Sequence, residues 1–366
     1  MSVFEEPFLL REVRIPNRVW MSPMCQYSAG DEAVPTDWHL IHYGSRAVGG
    51  VGLVMIESTA IGSQHRITSA DLGIWDESQV APHSRLARVI AEAGSVSGIQ
   101  LQCAGRKGSS MLPWNGNGQQ SPVLASEGGW TPVAPSPCQY GDLAVPRELS
   151  VRNIDDIVAA FSNATRLSNL AGYDVVEIHA GHGYLLHQFL SPLTNKRVDQ
   201  YGGSLENRMR FPLRVAEAVR AAFPDSKPVF VRVTATDWIE GGITIGEASA
   251  FARELARVGI DLLDVTSGGL EARAVRPQSP GLNVVFSRTL KEASGLATAP
   301  VGQIDGFALI ASILENRDAD AVMIGRPLLR DPYLVLRLNE ANVTTRWPVQ
   351  YLRALQARTA PARRSA

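Results

Sequence analysis

The sequence predicts an α/β fold, a (β/α)8 TIM barrel with loop insertions at its C-terminal face, and three observations carry that prediction. Short runs rich in Val, Ile and Leu recur at 19–24, 51–57, 98–103, 174–179, 228–233, 261–266, 299–302 and 320–325. They are continuous rather than alternating in polarity, as strands covered on both faces of a parallel sheet read. Helical periodicity separates them, and eight strand–helix units exceed an open doubly wound sheet but match a barrel of about 250 residues plus insertions.

Taken in order, the first run leads into Ser22-Pro23-Met24-Cys25-Gln26-Tyr27, and the third closes on Gln102. The stretch 105–150 follows, dense in Gly, Pro, Ser and Trp and too irregular for a core helix. Ile154, Ile157, Val158 and Phe161, at offsets of three, four and seven, then predict an amphipathic helix. The fourth run ends at His179 and opens a second insertion, 183–205, before a helix starting near Ser204. The fifth run carries Arg232, and Phe251, Leu255 and Val258 mark the helix after it. The sixth is DLLDVT, and the seventh and eighth end beside Gly302 and Gly325-Arg326. Both insertions follow strand C-termini, the face where barrels build sites. One domain over 1–357 and a flexible, Arg-bearing tail over 358–366 are expected.

Composition narrows the function. The chain has 366 residues, 45% hydrophobic and 19% charged, and 35 Lys+Arg against 36 Asp+Glu leave a net charge of −1. That balance supplies no drive toward nucleic acid or an anionic membrane. Cys25, Cys103 and Cys138 form neither a CxxC pair nor a Cys/His cluster, so metal is not expected and a reducing compartment fits. No secretory leader or membrane span is read, and a cytoplasmic location is expected.

The segment Glu177-Ile178-His179-Ala180-Gly181-His182-Gly183-Tyr184 carries the chemistry. Alternation turns Glu177 and His179 toward the lumen, and the Gly-rich turn can converge His182 and Tyr184 on His179. Two imidazoles and a phenol suit a reaction in which charge develops on a substrate oxygen while a proton is delivered nearby. Satisfied loop histidines are the bland alternative. Arg232, within Val229-Phe230-Val231-Arg232-Val233, requires an anionic partner, either a ligand or a lumen carboxylate such as Glu177. Gln102 could read a planar heterocycle or bond to a loop. Gly302, Gly325 and Arg326, after the seventh and eighth strands, stand where barrels often hold a phosphate.

Together these residues resemble the old yellow enzyme family of FMN-dependent ene-reductases. The resemblance rests on Ser22 to Tyr27, on His179 to Tyr184, and on the long motif from Ser191 to Phe211, SPLTNKRVDQYGGSLENRMRF. It covers about Phe4 to Arg353, and Cys25, Tyr27 and Trp347-Pro348-Val349-Gln350-Tyr351-Leu352-Arg353 resemble the xenobiotic reductase and thermophilic-like subgroup. The resemblance implies noncovalent FMN and NADPH or NADH as reductant. In it Pro23, Met24 and Cys25 lie against the flavin, Ala60 and Gln102 meet its polar edge, and Arg232 faces its N1/C2 region. Gly302, Gly325 and Arg326 belong to the phosphate site, and His179 also borders the cofactor. His179 and His182 hold the substrate oxygen, Tyr184 donates the proton, and Tyr27 assists. Cys25 either packs or tunes the flavin potential. Arg353 enters a neighbour's site, which implies a homodimer or a tetramer of dimers acting on a small molecule. Gly181 stands where relatives often carry Ala. The implied activity is reduction of activated C=C bonds, in α,β-unsaturated carbonyls and nitro compounds; the alternatives are a non-catalytic flavin-binding or flavin-sensing protein or another FMN barrel oxidoreductase.

Overall fold

The eight apolar runs become eight parallel strands in a computed structural model that describes residues 3–115, 121–338 and 347–356. They are β1 (Val19–Met21), β2 (Leu53–Ala60), β3 (Val96–Gln102), β4 (Val175–Ala180), β5 (Val229–Thr234), β6 (Leu262–Thr266), β7 (Ala297–Pro300) and β8 (Val322–Ile324). Each pairs in parallel with its sequence neighbour, β8 pairs with β1, and a bridge between Val301 and Met323 closes the ring. The sequence placed β1 and β7 differently by a few residues, for local reasons. Pro23 offers no N–H to prolong β1. Beyond Pro300 the chain keeps the Val301 N–H bond to the Val265 carbonyl (3.0 Å) and the Val301 bridge to Met323 before Gly302 turns away at φ 140°.

The helices α1 (Asp37–Val48), α2 (Val80–Glu92), α3 (Val151–Leu170), α4 (Leu205–Ala222), α5 (Ile245–Arg257), α6 (Val284–Ser294) and α7 (Phe307–Glu315) follow the first seven strands in turn. Local chemistry starts several of them. Ser150, Ser204 and Thr244 accept the backbone N–H groups of Asn153, Asn207 and Glu247 at the N-termini of α3, α4 and α5.

Two apolar layers result. One lies between helices and strands and includes Ile154, Ile157, Phe161, Phe251 and Leu255, the periodic residues of the sequence. The other fills the lower lumen, where Trp20 stacks on Phe230 at 5.9 Å. An N-terminal hairpin, Phe8–Leu10 against Val13–Ile15, packs on this plug.

The stretches 105–150 and 183–205 hold each other. Arg197, in 183–205, donates to the carbonyls of Pro135 (3.1 Å) and Leu149 (2.6 Å) in 105–150. Residues 116–120 of the first insertion and the expected tail, 358–366, lie outside the described residues. Among the described residues no helix is long and apolar enough to cross a membrane.

Candidate active site

The strand alternation sorts the lumen into layers. Val175, Phe230 and Leu262 belong to the lower plug. Above them come Gln100, Glu177, Arg232 and Asp264, and at the rim Gln102, His179, Thr234 and Thr266. The polar layers therefore crown an apolar one.

At the rim, β4 gives way to a turn in which His182 takes φ 52° and Gly183 φ 74°. A Cβ at Gly183 would meet the Gly269 carbonyl oxygen at 2.4 Å, so the turn requires glycine there. It brings the rings of His182 and Tyr184 to 5.3 and 5.0 Å from that of His179. Gly181 N–H donates to His179 Nδ1 (3.3 Å), leaving the ring proton on Nε2, which faces His182 Nδ1 at 3.4 Å. His182 Nε2 in turn lies 2.9 Å from Thr266 Oγ1. Burial, then the neighbouring cations and imidazoles, hold both histidines well below the usual imidazole range. They are neutral rings, each with one N–H to give. Burial pushes the Tyr184 phenol up, and its hydroxyl has no hydrogen-bond partner among the described residues.

Tyr27, at φ 49°, neighbours Cys25, whose thiol is held protonated by burial and then by Asp71 and Glu57. Glu57 fixes this loop. It sits at a β2 register break, accepts the Gln26 N–H at 2.6 Å, and lies 3.1 Å from His39 Nε2.

Arg232 does have an internal partner, and the principal one is Asp264 rather than Glu177. Its Nε and Nη2 donate to Asp264 Oδ2 at 2.7 and 2.6 Å, and Nη2 also donates to Ser22 Oγ; Glu177 Oε1 is 4.0 Å away. Burial pushes both carboxyls up, Glu177 most, and a protonated Glu177 donating to Asp264 leaves one negative charge against one guanidinium. The pairing does not close Arg232 off. It still lines a cavity of about 580 Å3, with Pro23, Met24 and His182, and with Gly302, Gly325 and Arg326.

That cavity fits a flavin mononucleotide. Pro23, Met24 and Arg232 line one part of it and Gly302, Gly325 and Arg326 another; Gln102, fully buried with Oε1 and Nε2 both without a partner, lies outside that lining. Arg276 and Arg326 add cations to the lining beside Gly302, where a Cβ would meet the Asn283 side chain at 2.8 Å.

Residues 2–344 match the NADH:flavin oxidoreductase / NADH oxidase family model. An NADPH dehydrogenase of Bacillus cytotoxicus is 40% identical over 351 residues, 95% of each chain. The chain belongs to this family. Among solved structures, an old yellow enzyme homologue from Zymomonas mobilis shares the fold at TM-score 0.78 and 27% identity, over 96% of both chains. A 2-naphthoyl-CoA reductase reaches TM-score 0.84 at 25% identity; the match covers 92% of this chain and 52% of that longer one. This old yellow enzyme family member is an NAD(P)H-dependent FMN oxidoreductase.

Several residues of this flavoenzyme's site were not singled out from sequence. Asp264 carried the signal that flagged Arg232, a charge inside an apolar strand. Lys107 gave none. Its Nζ donates to the carbonyls of His182 (2.9 Å) and Gly269 (2.5 Å) and sits 5.5 Å from the Tyr184 ring centre. Burial, then Arg106, pulls its pKa down to about 7. Of the expected residues, Cys25, Tyr27, His179 and Tyr184 are not among those that line the cavity, and three more, Ala60, Gln102 and Arg353, stand apart from it. Ala60 and Gln102 pair across β2 and β3 without lining the cavity, and the Ala60 N–H is taken by the Leu72 carbonyl. Arg353 is exposed beside Tyr333, Trp347 and Tyr351, away from its own chain's cavity. Gly181 also acquires a reason: a Cβ there would press to 3.0 Å on Thr234 Oγ1, which accepts the His182 N–H at 3.1 Å.

Proposed function

We propose that this flavoenzyme reduces activated C=C bonds, with α,β-unsaturated carbonyls and nitro compounds as its substrate class. The observation that carries this reading is the clustering of His179, His182 and Tyr184, of which His182 lines the same cavity as Arg232. FMN bound there would supply hydride chemistry toward the substrate β-carbon, with NAD(P)H as the source of its two electrons. Pro23, Met24 and Arg232 of the cavity lining would hold its ring system, with Cys25, Ala60 and Gln102 bordering it from outside that lining, and Gly302, Gly325 and Arg326 would hold its phosphate.

The chain's own residues handle the oxygen and the proton. Neutral His179 and His182 each carry one N–H, and these turn from His182 Nδ1 and the Thr266 hydroxyl to the substrate carbonyl, where the bonds strengthen as enolate charge builds; one such donor contributes about 3 kcal/mol. Tyr27 assists at the same oxygen. Tyr184, with its O–H uncommitted, delivers a proton to the α-carbon, so hydride and proton together saturate the double bond. Arg353 reaches a second copy across a two-fold interface and completes that copy's site, making a dimer the smallest functional unit.

An absorbance titration tests the reaction. NADPH should bleach the flavin band of the purified protein and cyclohexenone should restore it anaerobically; a bleached band that no enone restores refutes the assignment. For the shared site, Arg353→Ala should weaken substrate binding about tenfold with FMN retained. A strictly monomeric species by light scattering, fully active at nanomolar dilution, is the contrary result.

A further inference from the structure

Gly183 separates His182 from Tyr184, and its N–H donates to His187 Nδ1 at 2.8 Å. His187 lies on the short helix Leu185–Leu190 and is fully buried. Because Nδ1 accepts, the ring carries its proton on Nε2, which faces Asp237 Oδ1 at 2.9 Å. Neither of those two atoms has another partner. Asp237, also fully buried, is fixed through Oδ2 by the Ser191 hydroxyl and the Ile243 N–H, both at 2.8 Å. Burial works against its charge, but His187 and these donors hold the carboxyl below its usual range. The preceding amide of the turn, His182 N–H, goes to Thr234 Oγ1 at the end of β5, three residues before Asp237.

We propose that the buried His187–Asp237 pair is a positioning device for the catalytic turn: the carboxylate fixes the imidazole tautomer, and the imidazole fixes the Gly183 amide that sets His182 and Tyr184 over the site. The physical case is one of satisfaction. Gly183 at positive φ is threaded under the Gly269 carbonyl, so its N–H cannot turn to water, and the side chain that takes it must present a lone pair there. An imidazole does so only with its proton on the far nitrogen, and a carboxylate beside that nitrogen selects this tautomer. Neither residue touches substrate in this account; both act through the turn. The inference rests on the proposed roles of His182 and Tyr184.

Three substitutions separate the two ring nitrogens. His187→Asn keeps an acceptor near Nδ1, His187→Gln keeps a donor near Nε2, and His187→Phe keeps the volume with neither. Hydrogen–deuterium exchange at the Gly183 amide of the holoenzyme is read alongside anaerobic reoxidation by cyclohexenone. His187→Phe and His187→Gln should each speed exchange at Gly183 and slow reoxidation by about tenfold, with His187→Asn within about threefold of wild type. In a Tyr184→Phe background the His187→Phe loss should shrink to about twofold, since both act through one group. Unchanged Gly183 protection in His187→Phe, equal losses in His187→Asn and His187→Phe, or a fully multiplicative double loss overturns the proposal. If His187→Phe does not fold, the Asn and Gln variants decide on the same two readouts. Tyr184→Phe alone with normal reoxidation would count against the donor role of Tyr184, while the exchange data still decide the positioning role.

Discussion

Tyr184 shows how much one side chain's surroundings set its chemistry. Its phenol is held protonated by burial and has no hydrogen-bond partner among the described residues, so the proton is present and uncommitted. Tyr184→Phe should therefore leave flavin reduction by NAD(P)H near normal and slow reoxidation by an enone about 10²-fold; stopped-flow traces with both half-reactions slowed equally would contradict the assignment. Cys25 is the converse case. Burial first, with the acidic Asp71 and Glu57 nearby, keeps its sulfur a neutral thiol, which suits a tuning contact better than a nucleophile. Cys25→Ser should retain FMN and shift its midpoint potential, measured by anaerobic dye titration. An unchanged potential leaves packing as the role of Cys25.

At the scale of elements, the site depends on pieces that never touch it. The Phe8–Leu10/Val13–Ile15 hairpin seals the lower lumen, and Ile15 is wholly buried against Trp20 and its neighbours. Ile15→Ala should cost about 2–5 kcal/mol of stability while leaving the flavin spectrum and turnover intact, because the cavity it opens lies below the polar layer. Urea unfolding followed by tryptophan fluorescence measures the first, and steady-state kinetics the second; a large loss of turnover in the folded variant would show that the two ends of the barrel are coupled. At the upper end, Arg197 joins the two insertions, and Lys107 ties the first of them to the turn after β4.

For the whole molecule, buried titratable groups make stability depend on pH, and they do so with opposite signs. His83 is fully buried between Tyr173 and Gly73, and burial lowers its pKa to about 4. The fold keeps it neutral while the unfolded chain binds a proton below about 6.5, so its contribution is complete above that pH and is lost as pH falls toward 4. Asp71, which burial pushes up to about 7, acts the other way: it is protonated in the fold, and its contribution is lost as pH rises from about 4 toward 7. A difference measurement isolates His83. Between pH 6.5 and 4 the wild type should lose up to about 3 kcal/mol more than His83→Gln. Parallel stability curves for the two proteins across that window would refute the buried neutral histidine.

The sequence by itself determined the barrel, because continuous apolar runs at regular spacing are readable one strand at a time and need no knowledge of their partners. It also foretold that His179, His182 and Tyr184 meet, since they lie within six consecutive positions and a Gly-rich turn leaves them little room to diverge. The tertiary structure alone decided who pairs with whom. Asp264 meets Arg232 from 32 residues away, and His187 reaches Asp237 only because the chain after β5 folds back over the short helix. Lys107 is in the same position: as sequence it reads as a solvated loop cation, and only the closing of the barrel places two carbonyls and a tyrosine ring around it. Periodicity is a local property of a chain, whereas the satisfaction of a buried charge or amide is a property of the neighbours that closure brings to it.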